Sequence, residues 1–392
     1  MKKIVQFIFI TAALLFISFT ATGCWDNLDV VQRSIVVAIG FDREEDGKIS
    51  VTLQTAKPAG IKAIQDQGAD TDSDWVYTAK GDTVMEAVRN HMTAQARKPF
   101  LSHLQLIVIG EKLAQEGILE ILDYFEREPE LPLKVNVLLS KGIQAKDVLE
   151  AETNLESIPA IHISEILENE RNYSKIKHIT LFDLLQQLSA PGFETTIGVI
   201  GIEAEKSPKL VKDMEVAGLS VFRQDRLIGW VSPEKTRGIL FILNEIQSAN
   251  INLSNQLNGD KKAAVIVMGS AAEKRIDFEG NRPLFSIDVK AEGNLVEYYG
   301  EDDIALPPNR KKLEKEVAKE IEQEIRTAIV LAQKEFRSDI FGFGNLLYHQ
   351  QLSYWREVED HWEDVFCRIP IDVNVTFKIR RIGYVSKSLE IR

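Results

Sequence analysis

Cys24 is the residue whose type and position most clearly announce chemistry. It closes the run Ala21-Thr22-Gly23-Cys24, behind a basic start at Lys2 and Lys3 and an apolar stretch from Ile4 to Phe19. A basic start, an apolar stretch and small residues before a cut are the parts of an export signal. A cysteine directly after the small residues predicts a lipoprotein, in which the Cys24 thiol takes diacylglycerol as a thioether and the signal, residues 1–23, is removed. Ala21 stands where such signals usually carry leucine. The other reading is an ordinary secretory signal cut nearby. Two acyl chains on one residue meet the two-signal requirement for stable anchoring. Cys367 is the second of two cysteines, and neither lies in a C-x-x-C pair. Zinc, iron–sulfur and thioredoxin-type chemistry therefore lack support. A Cys24–Cys367 disulfide is open in an export compartment, but lipid on Cys24 consumes that partner and predicts a buried free thiol at Cys367.

Other constellations that carry chemistry are missing from the sequence. There is no G-x-S-x-G, H-E-x-x-H or G-x-x-x-x-G-K-[ST]. The six histidines are scattered at 91, 103, 162, 178, 349 and 361, and surface or capping roles are expected for them. Asp302-Asp303 and Glu44-Glu45 read as solvated turns, without the ligand spacing of a calcium loop. No catalytic residue, cofactor site or metal site is expected, and the chain is read as a non-enzyme. The net charge is −12, and removal of residues 1–23 makes it −14. So acidic a chain repels phosphate backbones, and no nucleic-acid partner is expected.

The 392 residues, 44% hydrophobic, suffice for two or three domains with real cores. Residues 34–42 and 49–55 read as strands joined by a turn at Asp46-Gly47, the first central in a sheet covered on both faces. Residues 57–74 read as a long mobile loop. Helices are expected from the capping box Thr83–Glu86 to Arg97 and over 111–127, with strands at 104–109 and 135–139. In the next block, helices over 161–171 and 180–190, a strand at 197–202, a hairpin at 216–231 and a helix from Pro233 to Ser248 follow. The last block carries strands at 263–269, 284–290 and 294–299, a long charged helix after Pro307-Pro308, an aromatic helix over 346–364 and a strand at 371–379. The expectation is an α+β protein of three mixed α/β domains, each a β-sheet with flanking helices, over 24–155, 156–258 and 259–392.

Eight of the 31 aromatic residues fall within 336–366. Tyr348, Leu352, Trp355, Val358 and Trp362 share a helical stripe there, which is core or a partner surface. Gly342 and Gly344 flank Phe343, which calls for a positive φ, a close backbone approach or a flexible loop.

Several segments together resemble the Ger(x)C family, the lipoprotein C-subunits of spore germinant receptors. They are Gly23-Cys24-Trp25-Asp26, Arg33 to Asp42, His103 to Ala114 with the acidic helix to Arg127, Ala217 to Phe222, Leu227 to Trp230, Glu234-Lys-Thr-Arg-Gly238, Asp339-Ile-Phe-Gly342-Phe-Gly344, and Trp355 to Trp362. The resemblance covers nearly the whole chain after the signal. It implies a three-domain α+β architecture and lipid anchoring through Cys24 on the outer face of the inner spore membrane. It also implies work in nutrient sensing beside a polytopic A-type and a transporter-like B-type subunit. Two other readings are a solute-binding lipoprotein that serves a transporter, which needs two similar lobes, and an anchored hydrolase, which needs a nucleophile or metal set.

Overall fold

The computed structural model describes residues 2–20, 33–57, 74–94, 97–152, 158–170, 173–202, 214–253, 262–280, 282–300 and 302–383. Cys24 and most of the expected 57–74 loop lie outside the described residues. The apolar stretch expected to be a signal is a helix, α1 (Lys2–Thr20).

β1 (Arg33–Arg43) is apolar on both faces and is buried on both. It sits between β2 (Ile49–Ala56), antiparallel, and β5 (Leu106–Ile109), parallel. β3 (Asp74–Gly81) extends the sheet beyond β2, and short β4 (Lys98–Phe100) runs beside the start of β1. α2 (Val84–Asn90) is capped by the Thr83 hydroxyl, which accepts from Glu86 N at 3.2 Å. It ends seven residues before the expected Arg97, in a turn of 3₁₀ helix over His91–Thr93. The expected 111–127 helix is two helices, α3 (Glu111–Glu116) and α4 (Leu119–Arg127). Gly117 between them adopts φ 133°, and Ile118 N donates to Asp225 O at 3.0 Å, so the chain is turned out of the helix there.

β6 (Asn136–Lys141) and α5 (Ala145–Glu150) are followed by α6 (Pro159–Glu170) and α7 (Leu181–Ser189). α7 opens with a capping box: Asp183 N donates to the Thr180 hydroxyl, and Thr180 N to the Asp183 carboxylate at 3.2 Å. β6 is buried along Val137 to Ser140, so its outer edge needs a strand. β7 (Thr196–Ile202) supplies it in parallel, from Leu138–Gly198 to Lys141–Gly201. β8 (Met214–Arg223) and β9 (Arg226–Val231) add an antiparallel hairpin. The result is one nine-stranded sheet, ordered β3-β2-β1-β5-β6-β7-β8-β9 with β4 beside β1, which runs through the expected boundary at 155/156. One face packs on α2, α3, α4 and α7 through Ile39, Phe41, Leu113, Ile121 and Leu184. The other packs on α5 and α6 through Ala38, Val108, Val148 and Ile163.

α8 (Pro233–Leu243) stops five residues before the expected Ser248, at Asn244 in the left-handed region. That frees β10 (Ala249–Leu253) to open a second sheet, ordered β10-β11-β12-β13. β11 (Lys262–Glu279) and β12 (Arg282–Tyr299) form a long hairpin, so the two expected strands at 284–290 and 294–299 are one. α9 (Pro307–Val330) lays Leu313, Val317, Ile321 and Ile325 on this sheet and continues into a π-helical turn over Leu331–Phe336. The expected aromatic helix is three: α10 (Phe343–Gln350), α11 (Leu352–Val358) and α12 (Trp362–Phe366). β13 (Ile371–Arg381) closes the sheet parallel to β12, with the expected alternation of faces. The class is α+β with more than one sheet.

Candidate functional site at the junction of the two sheets

The segment Asp339–Gly344 leaves the π-helical turn and enters α10, and it meets both sheets. Asp339 is 3% exposed. One carboxylate oxygen accepts from Phe341 N at 3.3 Å, the other from Gly344 N at 2.7 Å and from the Trp362 indole at 3.1 Å. The Lys274 ammonium donates to Phe341 O. Burial pushes the Asp339 carboxyl up to about 6, although those donors and Lys274 pull the other way. Ser338 donates its hydroxyl to Phe222 O in β8 at 2.9 Å, and Glu194 N donates to Asp339 O at 3.0 Å.

The two glycines divide the readings left open for them. Gly342 has φ 73°. Gly344 lies against Gly192, in the turn after α7: a Cβ on Gly344 would stand 2.7 Å from Gly192 O and 2.6 Å from Trp362 Nε1. Phe341 and Phe343 are fully buried, Phe343 with its ring 4.5 Å from that of Phe285. Trp355 and Trp362 are also buried, which is the core reading of the stripe, whereas Tyr348 and Leu352 are exposed.

Glu194 extends the cluster. Its carboxylate accepts from Gln224 N in the β8–β9 turn. Burial, aided by the Asp339 charge, pushes it up to about 7 against that hydrogen bond and Arg223. Arg223 donates to Phe336 O at 2.9 Å and approaches Glu363, which also holds Arg337 at 2.8 Å. A raised carboxyl pKa means that the fold prefers the protonated form. Glu194 therefore contributes stability below its ordinary 4.5 that is lost as pH rises through about 7. Glu194→Gln is expected to be near neutral at pH 5 and more stable than wild type at pH 8. The gain should be roughly 2 kcal/mol, read from urea midpoints. A pH-independent difference would contradict a desolvated, half-buried carboxylate here.

Other motif residues hold structure in the same way. Asp42 accepts from Ala145 N at 2.8 Å and Lys146 N at 3.0 Å, the first turn of α5, and burial raises it to about 6. Arg237 grips both oxygens of Glu324 in α9 and donates to Asn250 O at 2.6 Å. Lys177 is 2% exposed and donates to Gln187 at 3.1 Å and Thr196 at 3.2 Å, with Glu245 at 3.9 Å. Burial lowers the lysine and raises the glutamate, and their mutual attraction opposes both shifts. Nothing in the sequence pattern singled out Lys177 or Glu194. His91, expected near the surface, is fully buried with Nε2 2.9 Å from Val51 O. Cys367 is buried, and burial raises its thiol pKa. Among the described residues, no group of three histidine, cysteine or acidic side chains converges as a metal would need. The charged groups of the junction bind backbone and one another, and what that arrangement does is clamp the two sheets together.

Two family models divide the chain. The spore germination protein N-terminal domain matches residues 26–202, and the spore germination B3/GerAC-like C-terminal domain matches 217–383. The chain belongs to the GerAC-like family of spore germination proteins. The Bacillus subtilis spore germination protein KC is 27% identical over 382 residues, which cover 92% of each chain. Spore germination protein B3 of the same organism is 23% identical over 96% of this chain and 98% of its own. Spore germination protein GerQC of Bacillus cereus is 22% identical over 96% of this chain and 98% of its own. The crystal structure of the GerBC protein superposes with a TM-score of 0.53 at 18% identity, over 87% of this chain and 96% of that one, which is a likeness of fold. The seam between the two family models falls inside the nine-stranded sheet: β7 belongs to the first match, and most of β8 and all of β9 to the second. Neither matched half completes that sheet alone.

Proposed function

We propose that this chain is the lipid-anchored C-type subunit of a nutrient germinant receptor. It would be held by Cys24 on the outer face of the inner spore membrane and act through contacts with the polytopic A-type and transporter-like B-type subunits. Membership of the spore germination family along nearly the whole chain carries the reading. The anchor rests on the sequence around Cys24. The buried carboxylates support a role in contact rather than catalysis, because each is engaged with backbone donors of the same chain. Acyl chains confine the protein to the membrane plane and raise its effective concentration near integral partners.

The test is a strain in which the cognate receptor is the only one present. Deleting this chain is expected to abolish germination with the cognate nutrient and to spare agents that bypass receptors. Wild-type chain should restore the response. Cys24→Ala should restore it poorly, with the chain lost from the membrane fraction or its signal uncut. Normal germination without the chain, or failure with bypass agents, would contradict the receptor role. An unlipidated mature N-terminus in wild-type protein would contradict the anchor alone.

A further inference from the structure

α4 and α7, on the nine-stranded sheet, and α10, on the second, enclose an open groove of about 1270 Å³. Asn345 fixes its floor, with its N–H donating to Gly192 O at 3.2 Å and its side chain to Pro191 O at 3.3 Å. Three large apolar side chains stand on its walls and face water: Leu133 is 47% exposed, Phe182 45% and Tyr348 37%. Apolar area left facing water around one groove is area that a partner can still bury.

The fixed charges on the groove are acidic. Glu126, Glu128 and Asp183 line it, no lysine or arginine does, and His349 is the one imidazole among its lining residues. Among the described residues no ion pair reaches these three carboxylates; Asp183 is taken up by the Thr180 hydroxyl at 2.6 Å as the cap of α7, which leaves Glu126 and Glu128 as the acidic rim. Arg127 is turned away and held by Asp123 at 2.8 Å. Beyond Glu128 lies a smaller cleft of about 360 Å³, where Arg127 and its partner Asp123 stand beside Asp82 and Glu120.

Apolar walls with an acidic rim select the occupant. An anionic lipid surface or a nucleic acid is repelled. A small solute would need enclosure, because such ligands are mostly buried by their pockets, and this groove is open along its length. A polypeptide segment that carries large apolar side chains for the walls and Lys or Arg for the rim satisfies both. We propose that the groove docks a cationic, apolar segment of an integral membrane partner. The inference rests on the receptor reading above and adds to it the site and the chemistry of the contact.

The test uses the full-length chain in spore membranes, with the photo-crosslinker p-benzoylphenylalanine in place of Phe182. The control position is Tyr299, which is 65% exposed at the end of β12. The position 182 probe is expected to crosslink an integral membrane polypeptide within a segment that contains Lys or Arg, and the position 299 probe is not. Glu126→Lys combined with Glu128→Lys should lower the yield at least tenfold while leaving the melting midpoint unchanged. Raised salt should lower it in the unmodified chain. Crosslinks to a second copy of this chain, to another segment of the same chain, to lipid or to a peptide without basic residues would overturn the proposal. So would a yield indifferent to charge reversal. Affinity purification of the unmodified chain separates the two readings. Integral polypeptides that co-purify while the groove crosslink fails would sink the groove alone. No co-purifying integral polypeptide would sink both.

Discussion

Asp339→Ala is expected to cost roughly 3–5 kcal/mol of unfolding free energy, because it strands three buried donors at once. Phe341 N, Gly344 N and the Trp362 indole all end on this carboxylate, and Phe341, Phe343 and Asp339 are all buried. An unmade hydrogen bond to a buried donor costs about 1–3 kcal/mol, and relaxation of the segment recovers part of the sum. One term works the other way. Burial holds the Asp339 carboxyl at about 6, so at neutral pH wild type carries a desolvated charge that alanine removes. That gain is smaller than the loss of three acceptances. Asp339→Asn keeps an oxygen in place and should cost less than half as much. Urea midpoints and the near-ultraviolet dichroism of Trp362 would read both variants. An alanine variant as stable as the asparagine one would mean that the carboxylate does not organise this segment.

Local signals made some elements legible and left others hidden. The Asp46-Gly47 turn sits with Gly47 at φ 84°, the Thr180 capping box forms, and the β13 alternation appears as burial. The breaks in helices were harder to read. The aromatic spacing runs on through Gln351, yet Gln351 adopts φ −141° and ends α10, because α11 turns to lay Trp355 against Trp362. Gly117 fits the apolar pattern of 111–127, and the contact that turns it, Ile118 N to Asp225 O, comes from a hairpin more than 100 residues later. The union of two expected blocks in one sheet rests on β6 pairing with β7, which leaves no trace in either strand alone. The motif Asp339–Gly344 stood out in the sequence, but its partners Gly192, Glu194 and Trp362 are distant along the chain, so its task as a clamp did not. For Cys24 the sequence remains the source of the reading.

The run Glu234-Lys-Thr-Arg-Gly238 carries the other large expected effect. Gly238 lies buried in the middle of α8, where alanine would ordinarily stabilise a helix by about 1 kcal/mol. Here the sign is reversed. A Cβ on Gly238 would drive onto the carbonyl oxygen of Glu324 in α9 and stand 2.6 Å from its carbonyl carbon. Backbone cannot swing aside as a side chain can. α9 must therefore slide, yet Ala328 stands 3.2 Å from the same Cβ and the neighbouring Ile321 and Ile325 are packed in the core of the second sheet. The neighbouring Arg237 also holds the side chain of that same Glu324, so a shift that relieves the clash strains the ion pair. Overpacking against side chains costs about 1–3 kcal/mol, and a clash against fixed backbone belongs at or above the upper end. Gly238→Ala is thus expected to lose about 2 kcal/mol net or more. Gly269→Ala, where a Cβ would meet nothing within 4 Å, should change stability little. Equal urea midpoints for the two variants would mean that α8 and α9 do not cross in backbone contact. A selective loss at Gly238 would explain why a glycine follows the arginine in this motif: the arginine grips Glu324, and the glycine lets the helix come close enough for the grip.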